Sequence, residues 1–436
     1  MKIFNTLSGQ LEEFKPNQEG KVNMYVCGPT VYNYAHIGNM CPVVTFDMVY
    51  RYLKYLGYDV KYVSNFTDVD DKIIKSAILA GVTEKEISEK YIEAYLNDVK
   101  SLNCLDLYKR PKVTETMNEI IDYISKLMEK GYAYQNGDDV YFRVSKIKEY
   151  GEISKQIVDE LDYGKRIDVD DNKENPYDFV LWKKTKEGIT WDSPFGKGRP
   201  GWHTECVVMI NNIFGQNIDI HGGGIDLKFP HHENEMAQNR AMYGCKLANY
   251  WMYNGHVMVE GVKMSKSLGN FILVKDMLEK YSANQFRLAL FKNSYRMPFD
   301  YTDALMVEAG TIDEKVYNSL KQARLDIAVN GYQTGIKTRD EHIEEIMNED
   351  FNTSNLITYL LELVKDLNVK LRNKEDYIDI YDTINLIVYI LGLKYDFVDL
   401  SSEDIEMYKE WINARNNKDF EKADELRNKL LDKKII

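Results

Sequence analysis

The alternation of strands and helices near the N-terminus constrains the fold of this chain more than any other feature. Residues 22–32 begin as a β-branched and aromatic run and then meet a Gly-Pro pair, which predicts a buried strand that ends in a sharp turn. Helical spacing at 40–56, a second strand at 59–65 and a helix at 69–80 follow. This order predicts an α/β fold with a doubly wound, parallel, Rossmann-like sheet.

The pattern is interrupted in the middle of the chain and disappears toward the C-terminus. Amphipathic helices are predicted at 83–102 and 114–130, and the charged, glycine-containing stretch that ends near residue 200 is interpreted as an insertion rather than sheet core. A strand is predicted at 139–144. Strands and helices alternate again over 202–259, with helices at 202–214 and 230–243 and strands at 218–220 and 250–259. The predicted domains are the first half of the Rossmann-like domain (1–108), a connective insertion (109–200), the second half of that domain (201–302) and an all-α helical bundle (303–436).

Composition excludes several broad classes of protein. The longest apolar stretch is far shorter than the ~20 residues that a membrane span needs, and the N-terminus lacks the pattern of an export signal. Five cysteines in 436 residues do not suggest a disulfide framework. The formal net charge of −13 argues against a protein that binds nucleic acids non-specifically over its whole surface. A local basic face that recognises one RNA is still compatible with this net charge. We therefore expect a cytoplasmic protein without membrane contact.

Three motifs have the composition of a nucleotide site. His36 and Gly38 stand at a predicted helix start just after a strand, where unpaired N–H groups and a close backbone approach suit phosphate. Lys263 and Lys266 flank hydroxyl residues in a loop, which suits a pyrophosphate that gains charge as it leaves. The third motif, His-Gly-Gly-Gly-Ile-Asp at 221–226, follows a strand and could pack against a base or ribose.

A fourth set of residues has the composition of a metal site. His231 and Glu235 are four residues apart, so on a helix both side chains project from one face. Cys27 and Cys206 are expected at the same edge of the sheet, and two thiolates, an imidazole and a carboxylate are a sound ligand set for Zn²⁺. The alternatives are the neighbouring imidazoles of His203 and His232. The remaining thiols, which we interpret as core or inert, are Cys41, Cys104 and Cys245.

With these motifs, the chain resembles the cysteinyl-tRNA synthetases, a family of class I aminoacyl-tRNA synthetases. The resemblance extends over roughly the first 355 residues and follows the order of the family's blocks. Those blocks are CGPTVYNYAHIGN (27–39), NFTDVDDKI (65–73), NPYDFVLWK (175–183), WDSPFGKGRPGWHTEC (191–206), HGGGIDLKFPHHENEMAQ (221–238), KMSKSLGN (263–270), YRMPFDY (295–301) and EDFNTS (349–354).

The resemblance implies a role for each matching residue. Asn39 occupies the place of the histidine that ends the first motif in many class members. The implied catalytic residues are His36, Asn39, Lys263 and Lys266. The implied ATP contacts are His36, Asn39, Gly223, Gly224, Asp226 and Lys266. The implied zinc ligands are Cys27, Cys206, His231 and Glu235, and the implied walls of the cysteine pocket are Gly28, Thr67 and Trp202.

The resemblance also implies the reaction. The family activates L-cysteine with ATP, which is accompanied by Mg²⁺, to cysteinyl-adenylate, and then transfers cysteine to the 3′ end of tRNA(Cys). One Zn²⁺ per chain would bind the substrate thiolate, an interaction that the hydroxyl of serine barely shares at neutral pH. We therefore expect no editing domain. A monomer and a tRNA-binding role for the helical bundle are further expectations from the family.

The C-terminus departs from the family pattern and leaves two alternatives open. Residues 414–416 and 420–424 resemble the start of a small anticodon-reading module, but the family's closing stretch, which has a tryptophan near its end, is absent before Ile436. One alternative is a synthetase-like ligase that passes cysteine to the amine of a small molecule. The other is a binding-only paralogue, against which the intact motifs count.

Overall fold

Residues 1–156, 173–185, 187–265 and 268–436 are described by the computed structural model, and they form two units. The first unit consists of Met1–Lys280 and Tyr295–Tyr301, and the second consists of Tyr281–Ser294 and Thr302–Ile436.

The first unit contains the strands that the structure describes. In chain order they are β1 (Lys2–Asn5), β2 (Gln10–Glu13), β3 (Lys21–Val26), β4 (Asp59–Val63), β5 (Ala133–Asn136), β6 (Asp139–Phe142), β7 (Phe179–Lys183), β8 (Arg199–Pro200), β9 (Ile218–Gly224), β10 (Ala248–Asn254), β11 (Val257–Val259), β12 (Val262–Lys263) and β13 (Phe299–Tyr301). Its helices are α1 (Ile37–Tyr55), α2 (Asp71–Ala80), α3 (Glu84–Ser101), α4 (Met117–Glu129), α5 (Trp202–Phe214), α6 (Glu233–Tyr243) and α7 (Val274–Lys280).

The predicted parallel sheet is confirmed. Its strand order is β10-β9-β3-β4, and every neighbouring pair is parallel. The chain crosses from β3 to β4 on one side and reaches β9 on the other, so the strand order reverses beside β3. Ligands of open α/β sheets bind at such a reversal, outside the carboxyl ends of the strands. Cys27 and the glycines of β9 lie at this edge.

The boundaries of β9 and β10 differ from the prediction. The glycines of 222–224 continue β9 rather than form a turn, because they pair with Met252–Asn254 of β10. The Phe46 ring of α1 occupies the space that a side chain at Gly222 would need. The predicted strand over 250–259 is two strands, β10 and β11. It is broken at Gly255, whose N–H donates to the Tyr295 carbonyl and whose missing side chain admits the backbone of Met297.

The insertion contains a sheet of its own, which the sequence pattern showed only in part. Strands β5 to β8 form an antiparallel sheet in sequence order. The fully buried Trp182 of β7 packs edge-on against Phe195 with ring centroids 5.9 Å apart. Much of the predicted polar stretch, residues 157–172 and Lys186, lies outside the described residues.

Among its described residues the second unit contains helices and loops but no strands, as predicted. The helices are α8 (Ala283–Phe291), α9 (Asp303–Asn330), α10 (Glu341–Met347), α11 (Thr353–Asn373), α12 (Ile378–Leu391), α13 (Ser402–Asn416) and α14 (Phe420–Asp432). Arg287 is fully buried and donates from Nε to the Leu391 carbonyl at 2.6 Å, which links α8 to the end of α12. In neither unit does a described helix have the length and apolar character to cross a membrane.

Candidate active site and metal centre

Four potential metal ligands meet at the carboxyl edge of the parallel sheet. Cys27 follows β3, Cys206 lies in the second turn of α5, and His231 and Glu235 lie on either side of the start of α6. The predicted helix over 230–243 begins only at Glu233, after a π-helical turn at Lys228–His232. The four-residue spacing still brings His231 Nε2 within 2.8 Å of Glu235 Oε1, so the two side chains are as close as expected although the helix starts later than predicted.

The separations of these ligand atoms fit a tetrahedral ion. One ligand atom from each residue lies within 4.8 Å of all the others. The Cys27 Sγ–Cys206 Sγ and Cys27 Sγ–His231 Nε2 distances are both 3.6 Å. Bonds of ~2.3 Å to sulfur and ~2.0 Å to nitrogen around a tetrahedral Zn²⁺ imply separations of about 3.8 Å and 3.5 Å. The residues therefore fit zinc, with the His231–Glu235 pair at a hydrogen-bond distance.

A second candidate set shares two of these residues. Cys27 and Glu235 also lie near the imidazoles of His221 and His232. A metal-bound histidine normally has a partner for its other ring nitrogen. Nδ1 of His221 is buried without one among the described residues, whereas Nδ1 of His231 lies 3.1 Å from Nδ1 of His203. The set with both cysteines is the better metal site for this reason.

His221 and His232 do not belong to that set, but each contacts one of its members. His221 Nε2 is 2.7 Å from Glu235 Oε2, the oxygen that faces away from His231. Such contacts fix the orientation of a ligand. His232 Nε2 is 3.3 Å from Cys27 Sγ, and its Nδ1 lies 2.8 Å from the Tyr253 hydroxyl. His203 and His232, the sequence alternatives, are thus adjacent to the chosen set.

Burial and hydrogen bonding give the cluster a mixed charge. The thiol of Cys27 donates to Cys206 and lowers the pKa of that thiol to about 6, while burial raises the pKa of Cys27 well above its usual range. Burial alone would lower the pKa of His231, but the Glu235 carboxylate raises it to about 10. A thiolate and a carboxylate are therefore both available as ligands near neutral pH.

The three residues predicted to line the cysteine pocket differ in how they face it. Trp202 is 41% exposed and stacks on His231 with ring centroids 4.3 Å apart, and Gly28 follows Cys27 directly. The Gly28 N–H donates to Asn65 Oδ1 at 2.9 Å, and a side chain at Gly28 would overlap the Asn65 carbonyl. Thr67 is buried, and its hydroxyl donates to Glu205 Oε2 at 3.0 Å, so that hydroxyl is already engaged within the protein.

A cavity of about 350 Å³ connects this pocket with the predicted nucleotide residues. Its lining includes Cys27, Gly28 and Trp202 at the metal end, and His36, Asn39, Gly224 and Asp226 elsewhere. Gly223 lies one residue away on β9, where a side chain would crowd the His232 ring.

The first helix is built to present His36 to this cavity. The Asn39 side chain accepts the His36 N–H at 3.1 Å and so closes the start of α1. Nδ1 of His36 is buried and makes no hydrogen bond within the described part of the chain. Burial lowers the pKa of His36 and the Asp226 carboxylate opposes that shift. A neutral imidazole with an unused nitrogen can donate to or accept from a bound nucleotide.

The loop after β12 approaches the same helix start. A side chain at Gly38 would lie 2.5 Å from the methyl group of Met264, so the two motifs are neighbours. Lys263 is exposed at the end of β12, and Lys266 lies outside the described residues. Asn270 closes the loop: its side chain accepts the Ser265 N–H at 2.9 Å and donates to the Lys263 carbonyl at 3.4 Å.

Replacing Asn270 with alanine should slow the amino-acid activation that the family resemblance implies by about tenfold. Two hydrogen bonds, worth about 0.5–1.5 kcal/mol each, hold the loop that positions Lys263. Cysteine-dependent exchange of pyrophosphate into ATP measures this step. Leu268→Ala is the control, because Leu268 lies in the same loop with 63% of its surface exposed and should tolerate truncation. Equal rates for the two variants would contradict a positioning role for Asn270.

Sequence reasoning gave no role to several residues of the site. Asn65 follows β4 at the same sheet edge as Cys27, and this position in the sequence could have identified it as a site residue. Glu205 is buried, and burial raises its pKa well above the usual range. His221 precedes the glycine run by one residue, but its contact with Glu235 depends on the packing of β9 against α6, which residue spacing does not reveal.

Comparison with known families agrees with this geometry. Residues 13–311 match the family model described as the tRNA synthetases class I (C) catalytic domain, and residues 342–394 match the DALR domain. The first match covers more than half of the chain, which places this protein among the class I tRNA synthetases.

Curated relatives narrow the assignment. Cysteine–tRNA ligase of Acholeplasma laidlawii is 47% identical over 438 residues that span 100% of both chains. Cysteine–tRNA ligase of Oceanobacillus iheyensis is 46% identical over 453 residues, which is 100% of this chain and 97% of the relative. This chain belongs to the cysteine–tRNA ligase family.

Solved structures support the fold. Mycobacterium tuberculosis methionyl-tRNA synthetase in complex with methionyl-adenylate superposes with a TM-score of 0.62 at 14% sequence identity. The superposition covers 85% of this chain and 89% of that one. The common fold confirms the Rossmann-like architecture.

Proposed function

We propose that the protein activates L-cysteine with ATP to cysteinyl-adenylate and transfers the cysteine to the 3′ end of tRNA(Cys). The observation that carries the proposal is the four-ligand cluster of Cys27, Cys206, His231 and Glu235 at one end of the cavity that His36 and Asp226 also line. The full-length identity to cysteine–tRNA ligases supports the same reaction.

The cluster would hold one Zn²⁺, which binds the deprotonated thiol of the substrate and so distinguishes cysteine from serine. His221 holds Glu235 in place, and Trp202 covers the His231 ring. Gly28 lines the cavity beside Cys27, where the substrate would lie. With the thiol fixed at this end, the substrate carboxylate can extend along the cavity toward the nucleotide.

The nucleotide end of the cavity positions ATP for attack by that carboxylate. Asp226 and the adjacent Gly224 would contact the adenosine. The neutral imidazole of His36 and the amide of Asn39 would contact the phosphates. Lys263, together with Lys266, would stabilise the negative charge of the departing pyrophosphate, and Mg²⁺ would accompany ATP. Positioning and electrostatic stabilisation by these groups account for the activation step.

The activation half of the proposal is tested by amino-acid-dependent exchange of labelled pyrophosphate into ATP. We expect exchange with cysteine and a rate at least about a thousandfold lower with serine at the same concentration. A pocket that separates near-isosteres by shape alone would give only about 10- to 200-fold. Removal of metal with a chelator should abolish the cysteine rate, and zinc should restore it. Comparable exchange with serine would overturn metal-based selection.

The alternative functions have less support. A ligase that passes cysteine to a small-molecule amine needs the same cavity, but the relatives described above are named as tRNA ligases over their full length. A binding-only paralogue has no use for an assembled ligand cluster. The functional division at residues 108, 200 and 302, a tRNA-binding role of the helical region, a monomeric state and a cytoplasmic location stay predictions.

A further inference from the structure

The cavity that contains His36 also has a wall of tyrosine and lysine side chains for which the activation chemistry gives no role. Tyr32 and Tyr34 come from the loop before α1, Lys72 from α2 and Tyr91 from α3, and all four line the cavity. The three tyrosines are partly buried, whereas Lys72 is exposed. The wall is thus formed by elements other than the β9 residues assigned to the adenosine.

The rings and cations of this wall are close together. Tyr34 and Tyr91 meet edge to face, with ring centroids 5.2 Å apart and an interplanar angle of 87°. Nζ of Lys275, on α7, lies 4.4 Å from the centroid of Tyr34, and Nζ of Lys72 lies 5.6 Å from that of Tyr32. Two aromatic-cation pairs therefore border one cavity.

The acidic groups near these lysines have partners among the described residues. Burial raises the pKa of the Asp98 carboxyl to about 6, and the positive charge of Lys275 opposes that rise. Beside Lys72, Asp70 accepts the Lys72 N–H as the cap of α2. Asp71 pairs with Arg199 and Lys183. In a chain with a net charge of −13, this leaves a local surface that can accept negative charge.

We propose that Tyr34, Tyr91, Lys72 and Lys275 hold the unpaired 3′-terminal nucleotides of the acceptor RNA. Aromatic faces that stack on bases, combined with cations for the phosphates, are the usual chemistry of single-stranded nucleic-acid sites. The acceptor hydroxyl must enter the cavity to reach the adenylate, and this wall belongs to the same cavity. The inference rests on the proposed function and adds an acceptor subsite to it.

The test compares the two half-reactions in variants of Tyr91 and Lys275. Tyr91→Leu and Lys275→Ala should leave cysteine-dependent pyrophosphate exchange within twofold of the parent. Both variants should lower kcat/KM for tRNA(Cys), Tyr91→Leu by about 5- to 150-fold, the range expected when one base loses its stacking partner. Tyr91→Phe keeps the ring and should restore charging. Tyr108→Leu is the matched control, since Lys61 lies 5.1 Å from the Tyr108 ring outside the cavity lining.

A binding measurement separates a subsite from an indirect effect. The parent protein should bind intact tRNA(Cys) more tightly than a transcript that lacks the unpaired 3′ nucleotides, and Tyr91→Leu should bind both equally. Exchange that falls in parallel with charging would assign the wall to ATP and overturn the inference. Unchanged charging in both variants would also overturn it. A parent protein that exchanges pyrophosphate but charges no tRNA would instead contradict the proposed function.

Discussion

The Cys206→Ser variant is expected to lose at least about 99% of cysteine-dependent pyrophosphate exchange. Even the outer partners of a metal ligand are worth about 10- to 100-fold in activity or metal affinity, and Cys206 is proposed as a ligand itself. Its thiol is buried, and hydrogen bonding lowers its pKa to about 6, so it is the thiolate of the cluster near neutral pH. Serine has almost the same shape but does not supply a thiolate.

Metal content and exchange should fall together in this variant. The parent protein should contain about one zinc per chain by elemental analysis, and Cys206→Ser should contain far less. Circular dichroism would establish that the variant is folded. The control is Cys245→Ala: its thiol lies apart from the cluster, 3.7 Å from the Gln216 carbonyl, and its loss should change neither property by more than twofold. Full activity and full zinc content in Cys206→Ser would contradict the ligand assignment.

The Gly28→Ala variant is expected to lose about a hundredfold of its exchange activity. The added methyl group would overlap the Asn65 carbonyl, which is backbone and cannot rotate away. The end of β3 would have to move, and Cys27, the adjacent residue, would move with it. A displacement of about 1 Å at a reacting group can reduce the rate by 10²-fold. Overpacking of this kind also costs about 1–3 kcal/mol of stability.

A second glycine provides the comparison for this variant. Gly310 lies within α9, and a methyl group there would meet the end of the flexible Gln285 side chain, which can move aside. Gly310→Ala should therefore keep its exchange activity, and the better helix propensity of alanine offsets any crowding. Thermal unfolding and exchange are measured for both variants. If Gly28→Ala matched the parent in exchange, the close approach of β3 to Asn65 would have no functional importance.

Much of the site could be predicted because it depends on local rules. The strand end at Cys27 and the helix that carries Cys206 follow from residue patterns, and parallel strands place their carboxyl ends at one edge. The four-residue spacing of His231 and Glu235 required only that the chain turn as a helix does. The choice of these ligands was therefore available from the sequence and the family resemblance, and the structure shows that they can converge.

The rest depends on contacts between distant segments. The glycines after His221 form a strand because they pair with β10, and Phe46, far away in the chain, occupies the space beside Gly222. His221 contacts the second carboxylate oxygen of Glu235, and the Trp202 ring stacks on His231. Neither contact can be recognised from the sequence. The sheet of the insertion was missed in part because its strands are short and because long, mostly polar stretches separate β6, β7 and β8.

The most direct test of the account is the transfer of labelled cysteine from ATP-activated enzyme to purified tRNA(Cys), with small-molecule amines as competing acceptors. We expect label on the 3′ end of tRNA(Cys), none on a non-cognate tRNA and none on the amines. Activation of cysteine without transfer to tRNA(Cys) would contradict the proposed function. Only the first half of the proposal, the formation of cysteinyl-adenylate, would then stand.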